Sequence, residues 1–164
     1  MQAATHEEIA AEAGLTIGAI YSNFASKADL MSALWSEVAS SSRVLLEERP
    51  SVRECLEALA HGLVRQVDDD PESVDLQLEF QLFAIRDPEA RDRRMPFWEA
   101  AHKAHTAVLE GIVARSKEAL PVSPRDFAEA VSNLAWSLMC SRRILGPSVI
   151  TEERIVNALM CLVP

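Results

Sequence analysis

Glycine and proline are scarce in these 164 residues, five and eight respectively, and no stretch alternates apolar and polar residues as a half-buried strand would. With Ala, Leu, Glu and Arg plentiful, that scarcity excludes a sheet-rich or loop-rich chain and favours an all-α protein. Cysteine is sparse too. Cys55, Cys140 and Cys161 are odd in number and far apart, which excludes a disulfide framework and points to reduced thiols in a core. The longest uncharged apolar run, Ala130 to Ser141, falls well short of the roughly 20 residues a membrane span needs. No basic-then-apolar leader, internal repeat or low-complexity tract is present. Nucleophile elbow, phosphate loop and metalloprotease signatures are all missing, so no enzyme and no cofactor are expected. A cytoplasmic helical protein follows.

What is present centres on Thr5 to Leu30. Ile9, Ala10 and Ala13 recur at helical spacing behind Thr5, a suitable N-cap, and Gly14 permits the left-handed backbone that ends a helix. Thr16 caps a second short helix from Ile17 to Asn23, with Tyr21 and Phe24 adding bulk. Ser26 opens a third. Two short helices about a glycine-containing turn make a helix-turn-helix, whose second helix is shaped to enter a DNA major groove.

Thr5, Ile9-Ala10, Ala13-Gly14-Leu15, Gly18, Tyr21, Phe24, Lys27 and Leu30 carry a resemblance. Their order and spacing resemble the signature of the TetR family of bacterial transcriptional regulators. The resemblance implies an N-terminal helix-turn-helix DNA-binding head, residues 1–46, followed by a helical-bundle ligand-binding and dimerisation domain, residues 47–164. It implies phosphate contacts from Thr5 and Tyr21, with a charge-assisted contact from Lys27. Thr16, Ile17, Ala19, Ser22 and Asn23 are the candidates nearest base edges, Asn23 having the amide for a bidentate contact to adenine. Gly18 is expected to serve close helix packing. The partners implied are a double-stranded DNA operator, a small apolar or aromatic effector and a second copy of the chain.

Two features sit awkwardly with this. Family members carry a full helix before the position of Thr5, whereas four residues precede it here. The net charge is -9, and residues 1–30 set Lys27 alone against Glu7, Glu8, Glu12 and Asp29, although phosphate binding is normally supplied by Lys and Arg. Either basic residues belong upstream, or the chain is a ligand-binding and dimerisation module with a vestigial DNA head.

Beyond the motif, a linking helix is expected from Lys27 to about Glu48, stopped by Pro50. Ser51 caps the next, to about Val67, and Asp68-Asp69-Asp70-Pro71 reads as a solvated turn and cap rather than a metal site. A largely buried helix from Glu72 to Arg86, a break at Asp87-Pro88, and a kink or restart at Pro96 come next. Phe97 to Leu120 reads as one long helix. Helices from about 124 to 145 and 151 to 163 close the chain, and the resemblance makes them the homodimer interface.

Phe80, Phe83, Phe97, Trp98, His102, Trp136 and Met139 are the large or polarisable residues able to line an effector cavity among the central helices. Simple core filling is the blander reading for each. Glu99, His102 and His105 fall at i, i+3 and i+6, but a dinuclear bundle site needs a second Glu-x-x-His and none occurs. No metal is expected.

Overall fold

The structure, a computed structural model, describes residues 5–26, 29–30, 32–34 and 49–163, apart from the side chains of His6, Arg93 and Arg94. Among the described residues every regular element is a helix. Helix α1 spans His6–Glu12 behind a reciprocal cap: Glu8 N donates to Thr5 Oγ1 at 3.2 Å and Thr5 N to Glu8 Oε2 at 2.7 Å. Gly14 then turns the chain at φ 65°, a conformation nearly free of cost only for glycine. Helix α2, Ile17–Asn23, opens with Ala19 N donating to Thr16 Oγ1 at 3.2 Å. Ala10 and Ile20 are buried where α1 meets α2. Ala13, placed by its spacing on the same apolar face, is exposed because the helix has already ended there.

Ser26 Oγ accepts from Asp29 N at 3.2 Å, and residues 29–30 and 32–34 are helical. The remainder of the linking helix expected from Lys27 to Glu48 lies outside the described residues.

The second unit is a five-helix bundle: α3 Val52–Asp69, α4 Pro71–Arg86, α5 Pro88–Ser116, α6 Pro124–Leu145 and α7 Glu152–Met160. Helix α3 touches all four others and is the central strut. Its Val52, Cys55, Leu56 and Ala60 are buried with Ile112 of α5, Phe127 of α6 and Ile155 and Leu159 of α7. Helix α7 has only nine residues, too few to persist alone in water. Burial of Ile155 and Leu159 contributes about 1.5–3 kcal/mol each, more than its Thr151 cap at ~1 kcal/mol, so packing holds it.

The structure departs from expectation in three places. Helix α4 is not largely buried. Val74, Gln77, Phe80 and Ala84 face inward, whereas Leu76, Leu82 and Ile85 are exposed, Ile85 at 79%. A helix lying on the bundle's flank buries one stripe, whatever the composition of its other faces. Pro96 lies inside the continuous helix α5 rather than starting a new one. That helix also stops at Ser116, not Leu120, because Lys117 takes a left-handed conformation at φ 57°. Glu118 beyond it then accepts from Val52 N at 2.7 Å and caps the first turn of α3 from 66 residues away.

Candidate functional site

Helix α2 presents Ile17, Gly18, Tyr21, Ser22 and Asn23 to solvent, and only Ile20 is buried. Ala19 is half-buried. A helix of seven residues packed along one side against α1 buries Ile20 and leaves even Ile17 outside. Thr16 Oγ1 is engaged as the cap, and the Thr5 hydroxyl in the reciprocal cap of α1. Ser22 Oγ donates to Ala19 O at 3.0 Å, and Asn23 Nδ2 donates to the same oxygen at 2.8 Å. A carboxamide tied to its own helix in this way has one amide hydrogen already committed. Lys27 lies outside the described residues. Gly18 does not serve close packing: a Cβ built there would meet only Thr16 Oγ1, at 3.9 Å, in ordinary contact. Glu7, Glu8 and Glu12 are exposed on α1, so the head's described surface is acidic.

In the bundle, α3, α4, α5 and α6 enclose a cavity of about 270 Å³. Of the residues expected to line one, Trp98, His102, Trp136 and Met139 do so, while Phe80, Phe83 and Phe97 are not among its walls. Phe80 is buried, and Phe83 and Phe97 half-buried. The rings of Trp98 and His102 lie 4.1 Å apart at 42°.

The walls also hold His105, weighed above only as a metal ligand, and polar residues that pattern reading passed over: Gln66, Gln77, Gln81, Ser132 and Asn133. Gln77 and Gln81 interrupt the apolar run of α4 four residues apart, one helical turn, and that interruption was the available signal. Gln77 is 6% exposed, and its Nε2 has no hydrogen-bond partner among the described residues.

Burial pushes the His102 imidazole pKa down; Glu129 opposes that shift and Arg125 adds to it. His105 is likewise lowered by burial and then by His102. Both rings are therefore neutral near pH 7. Cys55, also in the wall, is pushed up to about 11 by burial, against a smaller opposing effect of Arg49. Such a thiol stays protonated and is a poor nucleophile.

Among the described residues no three His, Cys, Asp or Glu side chains converge to hold a metal ion. Asp68, from the acidic run, instead accepts a two-pronged pair from Arg142, Nε to Oδ1 at 3.0 Å and Nη2 to Oδ2 at 2.6 Å. No described helix is long and apolar enough to cross a membrane.

Residues 1–34 match the family model for bacterial regulatory proteins of the tetR family. No curated protein matches the chain. Among solved structures, Salmonella enterica GusR aligns over 98% of this chain and 85% of its own, with a TM-score of 0.76 at 14% identity. A protein from Mesorhizobium loti MAFF303099, assigned to the TetR-family transcriptional regulators, aligns over 97% of this chain and 84% of its own, with a TM-score of 0.67 at 18% identity. At those identities the likeness is one of fold. The first 34 residues thus carry the sequence of the tetR-family DNA-binding head, on a chain whose fold is that of these two solved proteins.

Proposed function

We propose that the chain is a one-component transcriptional regulator, a repressor released from its operator by a small apolar or aromatic effector. The outward face of α2 carries this reading: Ile17, Tyr21, Ser22 and Asn23 are exposed on a helix whose only buried residue is Ile20. Residues 1–46 form the reading head, and residues 47–164 bind effector and dimerise. Thr5, Tyr21 and Lys27 contact phosphates, while Thr16, Ile17, Ala19, Ser22 and Asn23 lie nearest the base edges.

A homodimer through α6 and α7 sets two such helices about 34 Å apart, in successive major grooves of a near-palindromic site. Support for that interface comes from the outward side of α6, where Ala130 and Ser137 are small and exposed and Ile144 is 71% exposed. The effector occupies the cavity among α3, α4, α5 and α6, and its binding favours a dimer whose heads no longer match the two grooves. A few kcal/mol of differential affinity suffices.

One observation favours a second reading, the ligand-binding module with a vestigial head: the excess of acidic residues in the first 30 positions. A mobility-shift titration with DNA from upstream of the protein's own gene, at low stated salt, separates the two. A retarded complex supports the regulator. If no complex forms at low salt, regulation through DNA is refuted.

A further inference from the structure

The bundle cavity has a chemical asymmetry, and reading it rests on the effector role proposed above. Its walls are mainly aliphatic and aromatic, and the described lining contains no Asp, Glu, Lys or Arg. The Gln77 amide, 6% exposed, presents an Nε2 that donates to nothing among the described residues. A buried donor without an acceptor is costly, and native chains seldom retain one without a use. The volume of about 270 Å³ lies between a cavity of ~150 Å³ that holds benzene and the roughly 300–1,000 Å³ of sites for drug-sized ligands.

We propose that the cavity takes an uncharged compound of one or two aromatic rings, bearing a carbonyl, ether or hydroxyl oxygen that accepts from Gln77 Nε2. Trp98, tilted against His102, and Trp136 offer ring surfaces to such a ligand. An anion is disfavoured. The only groups in the wall that could become cationic are His102 and His105, and burial keeps both neutral. An unpaired charge brought into that environment loses its hydration without recompense.

The test is equilibrium dialysis of the full chain against coumarin, naphthalene and 2-naphthoate. Coumarin has the rings and a carbonyl, naphthalene the rings alone, and naphthoate adds a charge. Wild-type protein is expected to bind coumarin at least tenfold more tightly than 2-naphthoate. Gln77→Leu and Gln77→Met are expected to weaken coumarin about tenfold relative to naphthalene, the size of one lost hydrogen bond. Both variants should melt no lower than the native chain, since each replaces an unpaired amide by an apolar group.

An unchanged coumarin-to-naphthalene ratio in both variants overturns the role of Gln77. Naphthoate binding as tight as coumarin overturns the neutral class. In either case the effector site itself survives. If none of the three probes binds, the cavity is not a ligand site for this class, and the effector reading of it falls as well, whatever the DNA titration shows.

Discussion

Arg142 is 6% exposed yet charged, and its guanidinium makes the two-pronged pair with Asp68 and a third bond, at 2.5 Å, to Ile150 O. It therefore ties α3, α6 and the approach to α7 with one side chain. Arg142→Ala should cost about 1.5–3 kcal/mol in urea unfolding, as for hydrogen bonds to a charged group left unmatched. The pair also has a pH signature. The hydrogen bond from Arg142 holds the Asp68 carboxyl below the usual carboxylate range. Folding thus favours the ionised form, and the contribution is complete above the unfolded value of about 3.9. It is lost as pH falls through the lower folded value. The stability gap between the native chain and Asp68→Asn should be full at pH 7 and close as the solution is acidified below pH 4. A gap that persists unchanged at pH 2 would show that the asparagine acts through shape. On the reading head, Tyr21 is 52% exposed. Tyr21→Ala should weaken operator binding with no change in sedimentation; a lower sedimenting mass would show that the ring serves assembly instead.

At the scale of the element, the two glycines of the head have opposite reasons for being there. Gly14 needs its φ of 65°, and a Cβ there meets nothing within 4 Å, so Gly14→Ala should cost ~1 kcal/mol through backbone strain alone. Gly18 sits within α2 with room for a methyl group. Gly18→Ala should stabilise that helix by up to about 1 kcal/mol. If the same change weakens operator binding in a mobility-shift assay, the glycine is there for close approach of the backbone to DNA. If binding is unaffected, only helix propensity is at stake.

The caps at Thr5, Thr16, Ser51, Ser123 and Thr151 all form between a side chain and a backbone N–H three residues on. Such short-range logic is written in the sequence, and the span of α2 could be read to the residue. Pairs such as Glu118 with Val52 and Arg142 with Asp68 join positions 66 and 74 residues apart. No local pattern announces them. Nor did the hydrophobicity of Leu82 and Ile85 betray which side of α4 would face out, because a run apolar on all sides does not mark its own inner stripe.

At the scale of the whole molecule, charge sets the terms of DNA binding. With 16 basic residues against 25 acidic ones, operator affinity should depend weakly on salt for a protein of this kind. Each neutralised phosphate contributes a slope of about -0.9 in log K against log salt, and a steep slope, near -8, would reveal cationic contacts that the head's sequence does not foresee. Sedimentation equilibrium should give twice the 18.1 kDa chain mass, falling to a single chain if Ser137→Arg blocks the α6 face. The cavity was legible only in outline: size and polarisability marked Trp98, His102, Trp136 and Met139 but equally Phe80, Phe83 and Phe97, which lie outside its walls, whereas the glutamines became visible once four helices were brought together.

The joints of the bundle carry a last implication. Asp70 alone separates α3 from α4, and Asp87 alone separates α4 from α5. Three rods hinged by single residues have no cord to pay out. On the proposed effector role, a guest that shoulders α4 aside turns its neighbours with it, and two glycines spliced in after Asp70 should leave dialysis binding intact while abolishing release from DNA in a mobility-shift assay.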